Sequence, residues 1–403
     1  MKRLFTLLSV FLLINVFAFS NFFSSRFFEI KAGADVSLSN NALSLNDVMK
    51  KNLVIDLRKM ADECPDSGMN IIASVNPAFE MNLNLKVISF GLSSGLDFYE
   101  KFDVGKGIFD FLGYGNFIGQ PFVSAITNNT EIYYYSQANL GLNIGKFKIH
   151  VKPAMFMPAL VIKNSGGTAT ILNNQDGTIS VSTLMNMEIF TPLTLTSKDG
   201  KITVDDEDLM NKLITGLGFD LAGSLRFPLF SWFDIEAEAR IPLIPGRITQ
   251  KYVMNTEYSY ETKILEIGNN TGFDVVPPSV SSPIETYYMS NRPLKAAVYL
   301  DKDFIGKLMN LRAGLGFGLR RPFTDDYLFY PEYYVGFTVN ILDIAKIGIS
   351  TQYRDQVFIH QLGTTVNVRI IQLDLGASLQ SADFRKSFAF AGFGAYAFVT
   401  VGF

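Results

Sequence analysis

Apolar and polar residues alternate with a period of two along most of the chain. In 79–87 the odd positions Phe79, Met81, Leu83, Leu85 and Val87 are apolar, and the even positions Glu80, Asn82, Asn84 and Lys86 are polar. This is the period of a β-strand with one apolar face. The alternation returns in 88–98, 217–227, 233–241, 311–320, 333–341 and 371–380. In 233–241, Phe233, Ile235, Ala237, Ala239 and Ile241 oppose Asp234, Glu236, Glu238 and Arg240. The runs cover about 9–15 residues, longer than the ~5–6 of soluble strands and suited to a tilted bilayer crossing. A soluble β-sandwich also alternates, but in shorter strands with closer turn signals. Tight connections at 144–146 and 342–344, set against long polar ones elsewhere, are the habit of a membrane barrel. The pattern predicts an all-β fold: a transmembrane antiparallel β-barrel of about 14 strands, range about 12–16, with short helices in loops or lumen.

The first 20 residues break the pattern. Lys2 and Arg3 form a positive start, Leu4 to Phe19 an apolar run, and Ala18-Phe19-Ser20 a small-residue end. This reads as a cleaved signal peptide at 1–20, since the apolar run is short of the ~20 residues of a spanning helix. The barrel then occupies 21–403, with the cell outer membrane as its location and outer-membrane lipids as its surroundings.

Two stretches do not alternate. In 44–63 Ser44 suits a helix cap with Asp47 in the first turn, and Leu53, Leu57, Met60 and Ala61 share one helical face. Segment 205–215 opens with Asp205, Asp206, Glu207 and Asp208, as helix starts favour. Both are predicted loop or plug helices; for 44–63 a helical surface loop is the first reading, since helical excursions in long loops need no gating role, and a plug or lid the second. Gly107 to Gly113 and Asp303 to Met309 are shorter helical candidates. Tyr258, Tyr260, Tyr287, Tyr288, Tyr327, Phe329 and Tyr330 gather near strand ends, as an interfacial aromatic girdle requires.

Composition narrows the chemistry. The 403 residues are 48% hydrophobic and 18% charged, against the ~25% charged of an average soluble domain. Thirty-five Lys and Arg against 38 Asp and Glu exclude a strongly basic nucleic-acid binder. Loss of Lys2 and Arg3 with the signal moves the net charge from −3 to −5. With only His150, His360 and Cys64, no disulfide framework and no His- or Cys-based metal site is expected. Phosphate loops and nucleophile elbows are also missing from the sequence, so no catalytic residue, cofactor or metal is assigned.

The alternation also predicts what faces inward. Lys148, His150 and Lys152 form a basic ladder on one strand, and Arg226, Arg240, Arg312, Arg320, Lys346 and Arg369 point inward on others. Gly314, Gly316 and Gly318 read as lumen-side packing positions. Charges of both signs make a hydrated lumen, in which they pair across the pore. Tyr99, Tyr133 and Tyr135 fall on inward faces too. On the last strand the even positions Phe388, Phe390, Tyr396 and Phe398 would face inward as well. Wet apolar surface invites cover, so these four residues predict either a packed plug or a hydrophobic ligand, with Arg312 and Arg369 as anchors for a carboxylate head.

The odd face of that strand, Ala389, Ala391, Phe393, Ala395, Ala397, Val399, Val401 and Phe403, ends on an aromatic residue. It resembles the assembly signal of bacterial outer-membrane barrels. The resemblance implies that Val399, Val401 and Phe403 are read by the barrel assembly machinery. The whole mature chain resembles barrel proteins of spirochaete outer membranes, and through them is similar to the long-chain fatty-acid transporter family. Asn76-Pro77-Ala78 matches a short motif of that family's hatch. The likeness implies a 14-stranded barrel with a lumenal hatch and passage of hydrophobic molecules. Two readings stay open: a channel or transporter, possibilities including long-chain fatty acids as cargo, and a plugged structural or host-facing surface barrel.

Overall fold

The structure, a computed structural model, describes residues 26–43, 56–115, 118–198, 201–205, 214–229, 232–263, 273–275, 279–305, 308–341, 344–368 and 370–403. The proposed signal peptide, the first part of the 44–63 segment, nearly all of 205–215 and Arg369 lie outside the described residues.

Strands follow one another in the order β1 (Phe28–Asn40), β2 (Met69–Leu85), β3 (Ile88–Val104), β4 (Pro121–Ile144), β5 (Phe147–Asn173) and β6 (Thr178–Phe190). A ribbon, β7 (Thr194–Lys198) and β8 (Lys201–Asp205), interrupts the series. The series resumes with β9 (Gly218–Leu229), β10 (Phe233–Ile244), β11 (Gly246–Lys263), the short β12 (Phe273–Val275) and β13 (Ser279–Val280), and β14 (Ile284–Ser290). It ends with β15 (Leu294–Phe304), β16 (Met309–Arg320), β17 (Leu328–Ile341), β18 (Ala345–Arg354), β19 (Val357–Val368), β20 (Ile371–Ser381) and β21 (Gly392–Gly402). Every pairing among the described residues is antiparallel, and β21 closes on β1 from Glu29↔Gly402 to Ser39↔Gly392.

The wall is a closed barrel of 16 strands with two strands outside it, slightly above the expected number. The excess has a local cause. The lower half of β5 pairs with β9 and its upper half with β6. On the far side β9 pairs with β10 and β6 with β11, while β10 and β11 run on through Pro245. Thus β6 and β9 are two halves of one position in the ring, parted by the excursion 191–217. In the same way β14 and β15 are parted only by 291–293. Two positions filled by halves leave fourteen positions around the ring.

Alternation sorts the side chains as the sequence predicts. Ile30, Leu92, Val298, Leu315, Ile349, Leu373 and Val401 point outward and are exposed, an apolar belt on every side of the barrel. No described helix is long and apolar enough to cross a membrane. Such a belt is far larger than the apolar patches that water-soluble monomers tolerate. It corresponds to the lipid-facing band of a membrane barrel, and the soluble sandwich is set aside. Among the described residues, the rim carrying the start of β1 and the end of β21 has short turns at 86–87 and 145–146. Gly145 makes one of them possible, because its φ of 63° is a conformation that side chains with a Cβ resist.

The opposite rim carries the longer connections. Helix α1 (Leu57–Glu63), capped by Asp56 accepting from the Lys59 N–H, packs on α2 (Gly107–Tyr114). Their shared core of Ala42, Ala61, Cys64 and Phe109 rests on Met69 and Val104, which are outward positions of β2 and β3. The described part of the 44–63 segment is therefore a surface helix, not a lumenal plug. The 303–309 helix is not formed: Asp303 and Phe304 end β15 and Met309 opens β16. Of the girdle candidates, Tyr258, Tyr287, Tyr327 and Phe329 are exposed. Tyr288 and Tyr330 instead face inward, Tyr288 stacked on Phe190 and Tyr330 lying over Gly318. The side chain of Tyr260 lies outside the described residues.

Candidate functional site: the lumen

The inner wall is built in two layers of chemistry. Against the backbone lie aromatic rings, and small residues make room for them. A Cβ added at Gly314 would fall inside the ring of Tyr299, and one at Gly318 inside that of Tyr330. Gly314, Gly316 and Gly318 are therefore the lumen-side packing positions predicted for them. Tyr133, Tyr135 and Phe156 form a buried group on β4 and β5. Over these rings lie guanidinium groups. Arg292 sits 3.9 Å above Tyr135, Arg320 3.4 Å above Tyr99, and Arg312 4.1 Å above Tyr299. Cations placed over ring faces are attracted by the ring quadrupole, more strongly where water is excluded.

The charges then pair at three levels, between neighbouring strands at the first and across the lumen at the other two. Near the rim with the termini, Arg312 meets Glu236 at 2.9 Å, Asp301 at 3.4 Å and Glu238 at 3.6 Å, and Arg226 meets Asp234 at 3.1 Å. At mid-height Arg292 reaches from the gap between β14 and β15 to the other side of the ring. It donates to Asp97 of β3 from Nε at 2.9 Å and to Asp220 of β9 from Nη1 at 2.8 Å. Arg292 and Asp220 have no exposed surface. Arg240 supports the same bar, 3.6 Å from Asp97, while its Nε donates to the Pro293 carbonyl.

Toward the other rim, Arg320 of β16 bridges Glu131 of β4 at 3.1 Å and Asp355 at 2.8 Å. Asp355 belongs to the tight β18–β19 turn, with φ values of 50° at Asp355 and 69° at Gln356, and also receives Lys295 at 3.1 Å. Arg354 extends this level to Asp35 of β1 at 3.7 Å. The expected pairing of inward charges is thus present, as bars that span the lumen at the two upper levels.

At the seam between β6 and β9 the wall is sealed rather than open. Thr191 donates from Oγ1 to the Ala159 carbonyl at 2.7 Å and from its N–H to Gln250 at 3.2 Å. Gly218 and Gly246 approach too closely there to admit side chains. The ribbon beyond the seam covers the outer face: Leu195 packs on Met187, Ile189 and Tyr252, on the opposite side of the sheet from Glu188 and Lys251.

The predicted ligand residues are only partly brought together. Tyr396 and Phe398 face inward, with ring centroids 6.0 Å apart; Phe398 packs on Ala78 with the Lys31 ammonium 4.7 Å above it. Phe388 and Phe390 do not join them, which corrects the extended strand. The strand begins only at Gly392, because Asn40 and Ser381 end the two neighbours that would pair with it higher up. Phe388 closes a short 3-10 turn and stacks on His360, an outward residue of β19, at 3.9 Å. Phe390 has a φ of 57° and is exposed.

Arg312 is inward but engaged by carboxylates near the rim with the termini. Asn76-Pro77-Ala78 lies within β2, paired with Asp35, Ala34 and Gly33, so these residues are wall and not a hatch. Val399, Val401 and Phe403 point outward, and Phe403 exchanges backbone hydrogen bonds with Phe28 at 3.0 Å each. Sequence reasoning missed the partners Asp97, Glu131, Asp220 and Asp355 and the whole role of Arg292. Asp97 and Asp220 were visible as polar positions of alternating runs, but nothing in the sequence marked Arg292.

No family model matches the chain, and no curated protein matches it. Among solved structures it is similar to the toluene transporter TodX of P. putida, at 9% identity over 94% of this chain and 91% of that one, with a TM-score of 0.48. The Ralstonia pickettii toluene transporter TbuX gives 8% identity, 94% and 90% coverage and a TM-score of 0.44. A Pseudomonas aeruginosa FadL homologue gives 9% identity, 94% and 91% coverage and a TM-score of 0.44.

Proposed function

We propose that this chain is an outer-membrane transporter for small organic molecules with an apolar body and a polar or anionic head, long-chain fatty acids among them, and that its lumen rests closed. The observation that carries the reading is the layering of the inner wall, where guanidinium groups lie over tyrosine rings at three levels. Rings offer an apolar body a surface to slide against. An arginine released from its aspartate offers a carboxylate head the bidentate partner that such groups prefer. The bars are made of side chains alone, so clearing them takes rotamer changes and no unfolding of the wall. Export by residues 1–20 and insertion by the assembly machinery through Val399, Val401 and Phe403 belong to the same reading.

One observation favours the alternative, a closed structural barrel: Arg292 is pinned between two walls with no exposed surface. Uptake separates the two. Liposomes containing the purified barrel should take up a fluorescent fatty acid faster than empty liposomes, and Tyr99→Ala with Tyr135→Ala should slow that uptake while the barrel still forms. Uptake equal to that of empty liposomes overturns transport of this cargo and leaves the structural barrel.

A further inference from the structure

We propose that the outer wall holds a specific groove for one anionic phospholipid, its acyl chain lying along β17–β20 and its phosphate paired with Arg385. The inference rests on the membrane placement given above but not on transport. A cavity of about 570 Å³ opens on the outward faces of these four strands. That volume falls within the ~300–1,000 Å³ typical of small-molecule sites.

Its lining is two rungs of the ladder, with Ser350, Gln361 and Ser378 between them and Phe388 above. The lower rung, Phe337–Ile349–Leu362–Ala377, is wholly apolar, and Ala377 leaves a hollow where its neighbours Leu375 and Leu379 project. The upper rung, Val335–Thr351–His360–Leu379, carries two polar side chains at its centre. Polarity therefore rises toward the rim bearing the 382–391 connection, as it does along a lipid from chain to head.

The top of the groove is roofed. Phe388 stacks on His360 at an interplanar angle of 21°, and Phe384 meets Phe388 edge-on at 5.5 Å. His360 is held in place by Thr351 Oγ1 at 3.2 Å and Ser387 Oγ at 2.8 Å, so a polar ring is kept in a lipid-facing wall with both nitrogens satisfied. The turn that supplies the roof also supplies a cation. Lys386 is spent on the Ala42 and Glu63 carbonyls, which ties the turn to α1, whereas Arg385 is exposed. An exposed guanidinium on the turn that roofs an apolar groove fits a phosphodiester above an acyl chain. The groove is continuous with the lipid-facing belt, and that continuity selects a membrane lipid over a soluble ligand.

Native mass spectrometry of the full mature barrel in non-ionic detergent tests this, with phosphatidylglycerol, phosphatidylcholine and oleate offered at equal concentration. One phosphatidylglycerol per chain should be retained in preference to the other two. Arg385→Gln should lower its retention about fivefold, to the level of phosphatidylcholine. Ala377→Trp, which fills the hollow, should abolish retention of both phospholipids. Phe388→Ala removes the roof from a turn outside the strands and should act likewise if the tryptophan lowers the folded yield. Equal retention of the two phospholipids, stronger retention of oleate, or retention indifferent to Phe388→Ala overturns the site. Migration of unboiled wild-type protein as a folded barrel is read in the same samples, so failure of the groove and failure of the barrel are told apart.

Discussion

Replacing Arg292 by alanine should destabilise the barrel and open it. The guanidinium lies 2.8 Å from carboxylate oxygens of both Asp97 and Asp220. With an effective dielectric of about 20 and charge centres about 4 Å apart, each pair is worth roughly 4 kcal/mol of attraction. Taking three charges out of water cancels much of that, so the bar as a whole contributes little net stability. Removing the cation alone is a different matter, because the aspartates stay behind. Asp97 keeps Arg240 at 3.6 Å, but Asp220 has no exposed surface and loses its guanidinium. Breaking a buried ion pair from one side in this way costs about 3–5 kcal/mol.

Asp220→Asn added to Arg292→Ala should therefore recover part of the loss, as expected of residues that act through one interaction. The assay is urea unfolding of the refolded barrel in detergent, followed by the mobility difference between folded and unfolded protein on a gel. Single-channel recording of the same proteins in a planar bilayer should show longer open periods in Arg292→Ala than in wild type. A variant within about 0.5 kcal/mol of wild type, or a double variant no more stable than Arg292→Ala, refutes the reasoning.

Two further outcomes follow from the closing strand and from the outer rim. Deleting Phe403 removes the backbone pair with Phe28 and the ring packing on Phe27 and Phe28, at 6.4 and 5.9 Å, so the folded fraction in the outer membrane should fall with synthesis unchanged, as measured by quantitative immunoblotting of membrane fractions. In the 321–327 loop, burial alone would raise the Asp326 carboxyl, but the Thr324 hydroxyl and the Arg321 and Lys163 cations outweigh it and hold its pKa below the usual range. A lowered carboxylate stabilises the fold above its unfolded value of about 4, and that contribution is lost as pH falls through the folded value. Protection of 321–327 against hydrogen exchange, taken relative to the intrinsic rate at each pH, should accordingly fall at acid pH in wild type and already at neutral pH in Asp326→Asn; equal protection in both at neutral pH would count against the ion pairs.

Facing was legible in the sequence because it is a local property. Successive side chains of a strand point to opposite sides, so the alternation of Glu80, Asn82 and Asn84 with Phe79, Met81 and Leu83 assigns a face without reference to any other strand. The barrel, its lipid belt, the inward Arg226, Arg240, Arg312 and Arg320 and the glycine row 314–318 all follow from that rule. Only the tertiary structure decided which inward groups meet. Arg292 reaches Asp97 and Asp220 because ring closure brings β3 opposite the gap between β14 and β15, and a period of two carries no information on what lies across a lumen.

The tertiary structure also decided where alternation stops being structure. Phe388 and Phe390 continue the pattern of Tyr396 and Phe398 in sequence, yet a strand persists only while a neighbour offers hydrogen bonds. Beyond Asn40 of β1 and Ser381 of β20 there is none, so the chain leaves the ladder and lays Phe388 on the outside of the wall. The break between β6 and β9 has the same cause in reverse: the long β5 and β10–β11 offer ladders above and below 191–217, and both halves find partners with the excursion between them.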